Sequence, residues 1–93
     1  MKALWRGHML ADSNDLIQFG GYHYFRPSAV HTEWLVKAPK TVSDHACPHG
    51  VQFYDVVIDG ERQERAAWSY ESPRPALAQL TGLVGFWGEV ELV

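Results

Sequence analysis

The sequence has a single cysteine, Cys47, among its 93 residues, so no intrachain disulfide can form and packing alone must hold the fold. It also lacks a basic excess. Eight Lys plus Arg against eleven Asp plus Glu give a net charge of −3, which removes the electrostatic footprint that binding to a phosphate backbone needs. Nucleic acid is therefore not expected as a partner. No window approaches the run of about 18 apolar residues that spans a membrane, and MKALWRGHML lacks the long apolar stretch and cleavage site of a signal peptide. A cytoplasmic protein without membrane association is the expectation. Repeats, low-complexity tracts and interdomain linkers are missing as well, which implies a single domain over residues 1–93.

What is present suits a globular chain: 46% hydrophobic residues, of which the aromatics make up 13% of the sequence. At this length roughly 60% of the unfolded surface can be buried, enough for one modest core. The stability this allows is about 5–14 kcal/mol.

Most of the chain reads as short strands separated by turns. Lys2 to Trp5 and Met9 to Ala11 flank Arg6-Gly7, and Asp12 to Asp15 form a loop of residues that hydrogen-bond their own backbone. Leu16 to Phe19 and Tyr22 to Phe25 surround Gly20-Gly21, a pair suited to a two-residue hairpin. In that register Ile17 faces Tyr24, Phe19 faces Tyr22 and Asp15 faces Arg26. After Pro27 a single turn precedes an extended run from Glu33 to Val36, and Lys37 to Asp44 reads as a polar connection.

The strongest hairpin signal is VQFYDVVI at 51–58, then Asp59-Gly60, then ERQERAAWSY up to Tyr70. A two-residue loop there pairs Val51 with Trp68 and Phe53 with Ala66, and sets His49 opposite Tyr70. The same register opposes Asp55 and Glu64, a repulsive pair, so a one-residue bulge is an open alternative. The one helix expected lies near 73–81, with Ser72 as cap, Pro73 at the first position and Gly82 as the left-handed stop. LVGFW and EVELV then close the sheet around Gly88. The fold class is mainly β: a small antiparallel, barrel-like or two-sheet domain built from hairpins, with one short helix.

Chemistry-bearing residues gather at HACPHG, 45–50. His45, Cys47 and His49 share one parity and are zinc-type ligands, but Pro48 interrupts the extended segment that would align them, so no metal is expected. Cys47 activated by His45 or His49, with Asp44 or Glu71 orienting the base, would make a thiol enzyme. The alternation in WSY puts Trp68 and Tyr70 on one face beside His49 and Val51, with Cys47 just beyond the strand end. Trp, Tyr and His at a strand end supply apolar walls with polar tips, the make-up of a small-ligand pocket. The same aromatics could equally do no more than fill a small core. The ligand-contacting set expected is Tyr24, Arg26, Cys47, His49, Tyr54, Trp68 and Tyr70, with Arg26 also able to pair with Asp15. No cofactor motif stands out. The partner expected is an unidentified small molecule, and self-association as a homodimer through an exposed apolar patch is the third alternative.

Taken in order, GxxLADS, HYFRP at 23–27, ACPHG at 46–50, FYD at 53–55, AAWSYESP at 66–73 and GLVGFW at 82–87 resemble the short bacterial members of the family known as domain of unknown function 427. The resemblance covers nearly the whole chain and implies a small, mostly β domain. Some catalogues attach a nucleotidyltransferase label to the family, which these residues do not independently support. The positions shared are Tyr24, Pro27, Cys47, Pro48, Gly50, Tyr54, Trp68 and Tyr70. One departure stands out. Where the family usually has Cys-Pro-aromatic-Lys-Gly, this chain reads Cys47-Pro48-His49-Gly50, one residue shorter and without the lysine. A histidine replaces that positive charge only when protonated, which weakens a phosphate-binding reading.

Overall fold

Three tight turns set the plan of the chain, described over residues 1–93 by a computed structural model. Arg6-Gly7 joins β1 (Lys2–Trp5) to β2 (His8–Asp12), Gly20-Gly21 joins β3 (Leu16–Phe19) to β4 (Tyr22–Phe25), and Asp59-Gly60 joins β6 (Val51–Ile58) to β7 (Glu61–Tyr70). In all three both turn residues have positive φ, between 49° and 85°, the twist that matches two paired strands. The remaining elements are β5 (Leu35–Lys37), α1 (Val42–Ala46), β8 (Val84–Phe86), β9 (Glu91–Leu92) and three 3-10 turns.

The strands form two antiparallel sheets, one in the order β2-β1-β9 and one in the order β3-β4-β8-β7-β6-β5. The fold is therefore the expected hairpin-built, mainly β arrangement, with two open sheets and no closed barrel. One face of the large sheet, carrying Phe25, Val56, Ile58, Ala67, Val84 and Phe86, packs on Ala3, Trp5, Leu10, Ala11 and Val90 of the small-sheet layer. Trp5, Leu10 and Phe25 are almost fully enclosed there, each worth about 1.5–3 kcal/mol of burial. The opposite face carries a second cluster of Tyr24, Val51, Trp68, Leu80 and Leu83.

Two expectations need correction. The segment near 73–81 is a 3-10 turn, Pro75–Leu80, with a non-helical Leu77 inside it; Arg74 rather than Ser72 precedes it, while Gly82 does take the left-handed conformation after it. The short α-helix lies instead at α1, in the stretch read as a polar connection. There Thr41 Oγ1 accepts from the Asp44 N–H at 3.2 Å and Asp44 Oδ2 accepts from the Thr41 N–H at 3.1 Å, a reciprocal cap that closes one helical turn.

The β6–β7 register also differs. Close to the turn it is as expected, with Ile58 opposite Glu61 and Val56 opposite Gln63, but beyond Asp55 it slips by two, so that Phe53 faces Trp68 and Val51 faces Tyr70. Glu64, Arg65 and Ala66 together oppose Asp55, with Arg65 at φ 52°. This bulge removes the Asp55–Glu64 repulsion. Asp55, 5% exposed, accepts the Arg65 backbone N–H at 2.9 Å and pairs with the Arg62 guanidinium.

Candidate functional site

An even slip keeps side-chain parity, so Val51 and Phe53 of β6 and Trp68 and Tyr70 of β7 share the face away from the small sheet. Pairing through β8 and β4 brings Tyr22 and Tyr24 to the same face. Between Tyr24 and Trp68 lies Gly85, over which the Trp68 indole folds so closely that a β-carbon would stand 2.7 Å from the ring. That flattening of the indole onto the sheet leaves a recess of about 150 Å³ lined by Tyr22, Val51, Phe53, Trp68, Tyr70 and Trp87.

Around Trp68 the rings meet edge to face: Tyr22 at 5.1 Å, Trp87 at 5.6 Å and Tyr24 at 5.8 Å between centroids. Trp87 stacks on Phe53 and donates its indole N–H to the Arg65 carbonyl, so the bulge positions it. The Arg65 guanidinium lies 3.9 Å over Phe53 and forks onto Asp44, both of its N–H···O contacts being 2.9 Å. Asp44 is thereby held well below the usual carboxylate range, first by Arg65 and then by the Thr41 backbone. Next to Trp68, burial pushes the Tyr24 phenol up and the neighbouring Tyr70 adds to it, with Trp68 partly opposing. Tyr24 is thus a neutral group on this face.

The HACPHG segment borders this recess. Cys47 ends α1 and is half-buried against the Tyr24, Val51 and Trp68 cluster. Residues 47–50 are zipped to 71–74: the Glu71 N–H donates to the Gly50 carbonyl, the Ser72 N–H to the His49 carbonyl, and the Arg74 N–H to His49 Nδ1 at 3.0 Å. Gly50 takes φ 66° and its α-carbon faces the Ser72 backbone, where a β-carbon would sit 3.3 Å away. Accepting from Arg74 fixes the neutral His49 with its proton on Nε2. The His49 ring meets Tyr70 edge-on at 5.8 Å.

Of the residues singled out in the sequence, Tyr24, Cys47, His49, Trp68 and Tyr70 come together. Two do not join them. Arg26 pairs with Asp15 at 2.8 Å on the exposed end of the β3–β4 hairpin, and Tyr54 points to the other face of β6. His45 lies within α1, Asp44 is taken up by Arg65, and Glu71 pairs with Lys40 at 3.3 Å, so neither acid orients a histidine on the thiol. No group of three or more His, Cys, Asp or Glu side chains is arranged to hold a metal ion. Sequence reasoning missed Tyr22, Phe53 and Trp87. The parity of Tyr22 with Tyr24, and of Phe53 with Val51, was a usable signal, whereas Trp87 arrives from beyond β8 and only the bulge explains its placement.

Fold and site together define a small two-sheet β domain whose larger sheet bears an aromatic recess on its outer face. The chain belongs to the family described as domain of unknown function, DUF427, whose model matches residues 1–93. No curated protein matches it. No helix is long and apolar enough to cross a membrane.

Proposed function

We propose that the domain is a non-covalent binding module for a small planar molecule, held in the aromatic recess beside His49 and Cys47. The observation that carries this reading is the lining itself. Five aromatic rings and a valine surround an open slot, and its outer walls, Tyr22 and Trp87, are 44% and 43% exposed although each makes ring contacts with the buried Trp68. A planar ligand would complete the edge-to-face arrangement, and the free Nε2–H of His49 at the border offers it a directional donor. The thiol-enzyme alternative lacks a base: the His49 Nδ1 is engaged by Arg74, and neither histidine hydrogen-bonds Cys47.

The test is a thermal-shift screen of planar heteroaromatic fragments, repeated on Trp87→Ala. A ligand at 100 times its dissociation constant adds about 2.7 kcal/mol, and each kcal/mol raises the Tm of a domain this size by about 4–8 °C. Hits that Trp87→Ala abolishes support the reading. A screen without hits, or hits indifferent to Trp87, would overturn it, and thiol labelling that accelerates well below the pH of an ordinary cysteine would favour the enzyme instead.

A further inference from the structure

The large sheet carries a second cavity on its other face, where the 27–35 segment rather than the small sheet lies against it. About 160 Å³ in volume, it is lined by Pro27, Thr32, Leu35, Tyr54, Ser69, Gly82 and Val84. Ser69 is 6% exposed, yet its hydroxyl makes no hydrogen bond within the protein. The reason is local. Gln52, directly opposite Ser69 across the β6–β7 ladder, directs its amide N–H groups to the carbonyls of Ala38 and Phe53. Tyr54 pairs with Ala67, which puts it diagonally across from Ser69, and its phenol is also without a protein partner. Neither hydroxyl is sealed in, since the Trp5 indole N–H is the one buried polar side-chain atom without a partner; both open instead onto the cavity, with Thr32 exposed at its rim, and are free to pair with what enters it.

We infer that this cavity binds a small uncharged molecule that carries one hydrogen-bonding group, an alcohol or amide, on a short apolar body. Hydroxyls both donate and accept, which matches a group that does the same. Pro27, Leu35 and Val84 supply the apolar wall. Charge is disfavoured from both directions. Burial raises the Tyr54 phenol and the Glu71 carboxylate raises it further, so Tyr54 stays a neutral donor with an anion already nearby. The two cations at this edge, Lys37 and Lys40, face that same carboxylate at 3.9 and 3.3 Å. No charged side chain lines the cavity, so neither an anionic nor a cationic ligand finds a counter-charge in its wall. The inference is independent of the aromatic recess, since Trp68 and Ser69 face opposite ways from the same strand.

The experiment compares two near-isosteric probes, propionamide and propionate, by amide NMR titration of the full chain. Propionamide should give saturable shifts at Tyr54, Ser69 and Val84 with a dissociation constant on the order of millimolar, as expected for so few atoms. Propionate at the same concentrations should not. Ser69→Ala and Tyr54→Phe should each weaken propionamide about threefold to tenfold, the worth of one hydrogen bond. Trp87→Ala should leave it unchanged. Removing the Ser69 hydroxyl should not lower the Tm, because the hydroxyl holds nothing in the fold. Equal or stronger binding of propionate, shifts that never saturate, as for a cavity that holds ordered water only, binding indifferent to both hydroxyls, or a Tm that falls in Ser69→Ala would each overturn the inference.

Discussion

Gly85→Ala is the sharpest probe of the aromatic face, because the change is one methyl group and its surroundings are defined. A β-carbon there would stand 2.7, 2.8 and 3.0 Å from Cζ2, Cε2 and Cη2 of Trp68, all inside van der Waals contact. The indole has little room to yield, being 5% exposed and hemmed by Tyr22, Tyr24 and Trp87. Forcing an extra methyl into a packed site costs about 1–3 kcal/mol. Gly85 does not need positive φ, so alanine also stiffens the unfolded chain and returns about 0.4–1 kcal/mol. The net loss expected is about 0–2.6 kcal/mol by urea denaturation followed by tryptophan fluorescence. Since the clash is with the distal ring of Trp68, combining Gly85→Ala with Trp68→Phe should show a favourable coupling of at least about 0.5 kcal/mol in a double-mutant cycle. Additive behaviour of the pair would show that the indole does not lie across Gly85.

Three further outcomes follow from other parts of the molecule. The Asp44 carboxyl titrates lower folded than its unfolded value of about 3.8, so its contribution is whole above that pH and drains away as the pH falls towards the folded value; between about pH 5 and 2 the stability of Asp44→Asn should decline less steeply than that of the parent. Cys47→Ser should keep the native circular dichroism and lose about 0.5–2 kcal/mol, because the thiol is half-buried at a strand mouth; a loss of several kcal/mol would mean a fully enclosed side chain. Amide exchange should be slowest along β6 and β7, which have hydrogen-bonded neighbours on both sides, and fast exchange from Val51 to Val57 would contradict the sheet order.

Legibility in the sequence followed the physics of each element. Turns were readable because positive φ restricts residue choice: Arg6-Gly7, Gly20-Gly21 and Asp59-Gly60 all turn where expected, and the β3–β4 register, including the Asp15–Arg26 pair, follows from the second. The membership of the aromatic face was largely readable too, since parity depends only on alternation. The bulge was not. Its site was flagged by the Asp55–Glu64 conflict, but the number of extra residues depends on Asp55 finding the Arg65 N–H and on Asp44 and Trp87 arriving from distant segments. Helix type was equally hidden, because the prolines and Gly82 mark the limits of the 73–82 segment without saying how tightly six residues between them will wind. The Thr41–Asp44 cap was legible in principle as a Thr-x-x-acid pattern, though it lacked the apolar run that usually draws attention to one.

The bulge at Glu64–Ala66 also governs how this hairpin tolerates a change in length. Trp68 and Ser69 serve opposite sides of the sheet, so deleting or inserting one residue between Gln63 and Ala67 would turn the indole towards the small-sheet layer and the serine outward. Removing two would restore the plain ladder with every side chain still facing as before, at the expense of the Arg65 anchor for Trp87 and Asp44. Length variation in this arm should therefore be tolerated in steps of two, with the outer wall of the recess as the part that changes.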